Sequence, residues 1–231
     1  KKLDDNQAIG LEMRYFTLGD ITFTNITGDV VGQYKPHELA LGTSYARKLS
    51  RQFSLAISGR YIYSNLTGGQ SAGGVETVAG QSIAADLAGF YAKPVRMGGQ
   101  DMDLGVGLNI SNIGSKVSYT ETSIRDFIPI NMRLGSSLNA NIDDYNKISL
   151  AFDLNKLLVP TPPITDNGEI KLGQSPDVGV VSGMFQSFGD APGGFSEEMK
   201  EINYSIGTEY WYANQFAIRA GYFFEHATKG G

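Results

Sequence analysis

His37 and His226 are the only histidines in the chain, and both fall near the ends of patterned segments. An acid–base or nucleophilic site would need one of them held against a serine, or oriented by a carboxylate. Serine is plentiful, yet no local spacing sets one against either histidine. Two isolated histidines also make a poor metal site. The chain has no cysteine, which removes thiolate metal sites, disulfides and a Cys nucleophile together. Gly105-Val-Gly107 is followed by no helical pattern, so it is not a nucleotide fingerprint. Triplets at Asn25, Asn65 and Asn203 match the glycosylation acceptor, a pattern common by chance. The sequence reads as a protein without catalytic residues, cofactor or metal.

The chemistry its side chains do offer is ionic. Glu12, Arg14, Arg60, Asp86, Arg133, Asp153, Glu209 and Arg219 each stand in a run where every second residue is apolar. Together they would share the face opposite the apolar one. Such a face could be a polar conduit. It could equally be a lumen of mutually paired charges that adds stability without transport. Both signs are interspersed, and charges taken from water need partners, which favours pairing. An inner face so charged weighs against simple uptake of fatty acids.

The elements that must position these charges are strands with period-two alternation. Ile9, Leu11, Met13 and Tyr15 oppose Gly10, Glu12 and Arg14; Leu55, Ile57, Tyr61 and Tyr63 oppose Ser54, Ser58 and Arg60. Leu104, Val106, Leu108 and Ile110 oppose Asp103, Gly105, Gly107 and Asn109. Similar runs lie around residues 39–45, 83–91, 130–139, 147–154, 202–212 and 216–225, making about nine strands of roughly 9–12 residues. Soluble sheets favour about 5–6 residues, whereas a tilted strand crosses a bilayer in about 9–11. Short polar turns (Lys48–Gln52, Met97–Asp101, Ile142–Asn146, Ala213–Gln215) alternate with long connections (Gly19–His37, Ser64–Gly80, Ser111–Pro129, Asn155–Glu201). Outer-membrane barrels place short turns in the periplasm and long loops outside, whereas a sandwich has no reason to sort them by length. The Gly68–Gly74 stretch, with its Ser and Gln, reads as one flexible outer loop. Aromatics fall toward both strand ends on the apolar face, as two interfacial girdles would require. Abundant Gly and Tyr and a net charge of −5 suit an all-β protein and argue against a nucleic-acid partner.

The expected fold is therefore all-β: a transmembrane antiparallel up-and-down β-barrel, one domain over residues 1–231, in contact with outer-membrane lipid. Bacterial barrels have even strand numbers, so nine strands imply a barrel incomplete at both ends. Lys1–Asp5 leads into no apolar segment and is not a signal peptide.

Five stretches carry a family resemblance: Lys1–Gly10, Gly107–Gly114, Phe127–Gly135, Asp153–Pro163 and Tyr222–Lys229. They resemble the PorV family, FadL-like barrel proteins of the Bacteroidota type IX secretion system, and Asp153–Pro163 is the most specific of them. The resemblance implies a complete barrel of about 14 strands. It also implies a protein that binds secreted cargo at the translocon barrel subunit, through the cargo's C-terminal signal domain, and shuttles it to the cell-surface attachment complex. The alternative that FadL-like architecture allows is a transporter of hydrophobic small molecules.

The longest connection, residues 155–201, is the candidate binding region. Pro160, Pro162 and Pro163 stiffen its start. Val178, Val181, Phe185 and Phe188 recur at helical spacing, so a short helix is expected. Leu157, Leu158, Val159, Val181, Met184, Phe185, Phe188 and Phe195 are the candidate partner-binding residues. Exposed, they would form a docking patch; folded inward, they would make a lid on the barrel mouth.

Overall fold

A computed structural model describes residues 1–66, 68–69, 76–120 and 125–228 of the 231. In chain order the elements are β1 (Gln7–Thr17), β2 (Ile21–Thr24), β3 (Val30–Tyr34), β4 (His37–Lys48), β5 (Phe53–Asn65), β6 (Gly80–Met97), β7 (Gln100–Gly114), β8 (Asn131–Asn141) and β9 (Asn146–Leu157). There follow β10 (Ile164–Asp166), β11 (Glu169–Leu172), α1 (Val180–Gln186), α2 (Phe195–Glu198), β12 (Ile202–Tyr212) and β13 (Phe216–Phe224). The nine long strands pair in the order β1-β4-β5-β6-β7-β8-β9-β12-β13. Every neighbouring pair is antiparallel. The nine alternating runs of the sequence are thus one antiparallel meander.

The turns follow from local chemistry. Gly98 and Gly99, both at positive φ, close a two-residue hairpin between β6 and β7, the geometry that matches strand twist. At the β8–β9 turn Asp143 accepts the backbone N–H groups of Tyr145 and Asn146, each at 2.8 Å. Its carboxyl is held below the ordinary aspartate range, chiefly by the Asn146 side-chain amide and then by the Tyr145 N–H. Pro94 is tolerated inside β6 because β5 pairs no further than Tyr91; beyond the Ala92 N–H, which reaches Gln52, no donor is needed on that side.

Because all neighbours are antiparallel, the four short turns lie at one end of the sheet and the four long connections at the other. Two small hairpins decorate the long-loop end, β2–β3 and β10–β11. Period-two alternation does not reveal them, since both are short and exposed. The buried core also sits at this end. Ala84, Ile128, Ile130 and Leu158 form it, with Ile113, Phe127, Val180 and Met184 packed against it. Along the strands, the apolar face has no such cover. Ile83 is 70% exposed although β6 is flanked on both sides, and Leu87, Leu108 and Leu134 are exposed as well. The Gly68–Gly74 stretch, Thr67 of the Asn65 triplet and Lys229 fall largely or wholly outside the described residues.

Candidate functional site

Two arrays of side chains stand out: an ionic cluster on the face opposite the apolar one, and a buried polar latch in the longest loop.

The ionic cluster is centred on Arg60. Its Nε donates to Glu12 Oε1 at 2.7 Å, Nη2 to Asp86 Oδ2 at 2.9 Å and Nη1 to Asn112 Oδ1 at 2.9 Å. Register brings them together, since Glu12, Gly42, Arg60 and Ala84 are successive cross-strand neighbours. Gly42 leaves the room: a Cβ there would meet Glu12 at 2.8 Å. Asn112 is aimed inward by a β-bulge in β7, where its φ is 60° and the register shifts; its N–H also donates to Asp86 Oδ1 at 2.8 Å. Arg14 lies 3.9 Å from Glu12. Glu209 pairs with Arg219, whose guanidinium also lies over the Trp211 ring at 5.4 Å. Six of the eight expected charges are therefore in ion pairs. Arg133 and Asp153 form none among the described residues, and with Asn109, Gly107 and Gly135 they border a hollow of about 380 Å³. His37 lies near the Tyr15 and Tyr63 rings, and His226 Nδ1 contacts the Thr228 hydroxyl. Among the described residues no cluster of His, Asp and Glu could hold a metal.

The second array ties the loop after β9 to the sheet. Lys156 is buried, with Nζ 3.1 Å from Glu198 Oε2 and 2.9 Å from Glu201 Oε2. Glu198 also accepts the Ala191 N–H at 2.8 Å, and Glu201 accepts the Thr161 hydroxyl at 2.9 Å. Asp190 Oδ2 accepts the Thr161 N–H at 3.1 Å and the Gln186 amide at 3.2 Å, while the buried Oδ1 has no partner among the described residues. Burial raises the Asp190 carboxyl above the ordinary range; the Gln186 and Thr161 hydrogen bonds oppose that, and the nearby Glu198 adds to it. Sequence reasoning missed all six of these polar residues, Lys156, Thr161, Gln186, Asp190, Glu198 and Glu201. One signal was available: Lys156 continues the apolar register of Leu154, so a lysine there required a cover.

The loop packs on both sides of the sheet's edge at this end. α1 packs by Gly183 against Phe127 and Pro160. Phe188, Phe195 and Met199 instead border a pocket with Met132, Leu134, Leu154 and Ile202, which belong to the apolar face. The loop therefore straddles the rim. The helix is shorter than the spacing predicts: Val178 and Phe188 flank α1, and Phe195 opens α2 after Gly189, Pro192, Gly193 and Gly194 break the chain. The eight candidate docking residues divide. Leu158, 2% exposed, is core, and Met184 and Val159 pack against it. Leu158 is thus closed off from a partner, while Val159 and Met184 are half-buried against the core. Val181, Phe185, Phe188 and Phe195 are exposed, Phe185 at 75% and Phe195 at 80%, and Leu157 at the strand end is half-exposed.

Long antiparallel strands in simple meander, an uncovered apolar face and elaboration at one end define a class: an all-β protein built on one large antiparallel sheet. No helix among the described residues is long and apolar enough to cross a membrane, which leaves strand crossing untouched. The family model described as type IX secretion system protein PorV matches residues 1–164, well over half of the chain, and the chain belongs to that family. It is a family of secretion-system components, associated with the outer membrane, and not of enzymes. No curated protein matches the chain. Four of the eight candidate docking residues lie at 181–188 and one at 195, beyond the matched span.

Proposed function

We propose that this chain is an outer-membrane β-barrel component of type IX secretion. It would bind secreted cargo at the translocon and pass it to the cell-surface attachment complex. The nine-stranded sheet would be part of the barrel wall, its apolar face toward lipid and its ionic face toward the lumen. The observation that carries the binding role is the exposed set Val181, Phe185, Phe188 and Phe195 on a loop fastened by buried ion pairs. A floppy loop would lose ordering entropy on docking; a latched one presents its aromatics ready-placed. Aromatic anchors of this kind dominate protein interfaces. The paired inner charges support a scaffold over a conduit for hydrophobic molecules, since an apolar solute would meet Arg60, Glu12 and Asp86.

The test is co-purification of the full protein with translocon subunits or signal-domain cargo under mild detergent. Replacing Phe185 and Phe195 by Ser together should reduce recovered partner about tenfold or more, as loss of two aromatic anchors does, with the sheet intact. Undiminished recovery from this double variant would remove the loop from the interface.

A further inference from the structure

The apolar face carries one hollow that neither the ionic cluster nor the loop explains. It lies across β4 to β7 toward the short-turn end and measures about 740 Å³, within the size range of small-molecule sites. Its origin is a single residue. Leu55, Gly89 and Leu108 are cross-strand neighbours in one row, and the glycine leaves out the side chain that would close that row. Phe53 and Tyr91 wall it toward the turns. All four strands are interior to the sheet, so the walls are complete whatever flanks β1 and β13.

The rim of the hollow is positively charged. Arg47 lines it directly. Lys93 stands two positions beyond Tyr91 on the same face of β6, and Lys48 and Arg51 follow at the β4–β5 turn; all four are exposed. None of the four forms an ion pair within 4.0 Å among the described residues.

We propose that this hollow seats one acyl chain of an anionic phospholipid from the leaflet on the short-turn side, with its phosphate on Arg47 and with Lys93 adding to the positive field at that end. The inference rests on the reading of the apolar face as lipid-facing. Hydrocarbon suits walls of Leu and aromatic side chains, which offer almost no hydrogen bond. The cations stand only at the end where headgroups would lie, and basic side chains there attract anionic lipid. A protein side chain in the hollow would leave those cations unanswered.

Native mass spectrometry of the full protein, exchanged from detergent into mixed phosphatidylglycerol and phosphatidylethanolamine, reads the occupancy. One retained lipid is expected, with phosphatidylglycerol preferred about thirtyfold, as two basic residues near a surface would give. Gly89→Leu should cut retention about tenfold or more by excluding methylenes from the hollow. It should fold, because a Cβ at 89 meets only Leu55 and Phe53 side chains at 3.5–3.8 Å. Arg47→Gln with Lys93→Gln should keep a lipid and lose the headgroup preference, a second readout independent of the glycine. Equal retention with and without Gly89→Leu, or no preference in the unsubstituted protein, overturns the proposal. Fractionation of the unsubstituted protein away from membranes would instead overturn the lipid-facing reading beneath it.

Discussion

Arg60 spends every guanidinium nitrogen on a partner, and that makes it the residue whose loss the ionic face would feel most. Arg60→Met leaves Glu12 and Asp86 across a short gap with no cation between them. A charged hydrogen bond contributes about 1.5–3 kcal/mol, so unfolding of the sheet should require less denaturant by about 2 kcal/mol of stability, read from urea titrations in detergent. Arg219→Met should cost less, because its pair with Glu209 is more open to solvent. Equal effects of the two substitutions would contradict a special place for the Arg60 cluster. Asp190 makes a different prediction. Burial raises its carboxyl above the unfolded value of 3.8, so the folded loop holds that proton more tightly than the unfolded chain. The contribution of Asp190 to loop stability is then greatest below that unfolded value, falls as pH rises through the interval up to the raised folded value, and is flat above it. Limited proteolysis of the loop over a pH series rising from 3.8, compared with Asp190→Asn, should show this fall. Asp190→Asn, uncharged throughout, should abolish it; a variant with the same pH profile would exclude Asp190 as the source.

At the scale of elements, the long strands were legible because alternation constrains every second residue over ten or more positions. Leu55-Ala-Ile-Ser-Gly-Arg-Tyr-Ile-Tyr63 admits only one face assignment. The loop was legible only as an apolar, proline-started segment. Its latch was not, because Lys156, Thr161, Asp190, Glu198 and Glu201 are brought together by folding across 45 positions of sequence separation. Spacing cannot express such contacts, and for the same reason it left open whether Leu158 and Met184 face outward or pack inward. The bulge at Asn112 was hidden for a related reason: one extra residue resets the alternation without a compositional mark. The latch itself predicts behaviour. Lys156→Met strands one buried and one half-buried carboxylate, Glu198 and Glu201, which costs up to about 3–5 kcal/mol. Hydrogen exchange should then rise across residues 158–201 while β6–β8 stay protected. Adding Glu198→Gln and Glu201→Gln to Lys156→Met should restore much of that protection, since the uncompensated charges are gone. Failure of the triple variant to recover would mean that the lysine acts by packing under Phe188 and not by charge.

At the scale of the molecule, the two faces and two ends of the sheet make one geometric claim. An apolar face exposed along nine strands is stable only against lipid or another apolar body, and strands of nine or more residues are long enough to span a bilayer's hydrocarbon. If the proposed membrane reading holds, the short turns and the long connections stand on opposite sides of the outer membrane. The chain contains no cysteine, so single introduced cysteines report on position without background. Asp166→Cys places a thiol on the β10–β11 hairpin at the long-loop end, and Asp144→Cys places one in the β8–β9 turn; both positions are exposed. In intact cells a membrane-impermeant maleimide should label the cysteine at 166 and leave the one at 144 unlabelled until the outer membrane is opened. The reverse pattern would invert the orientation and move the aromatics of α1 and α2 to the periplasm, out of reach of surface attachment. Labelling of both in intact cells would mean that the sheet does not divide two compartments. The apolar face would then have to be covered by protein.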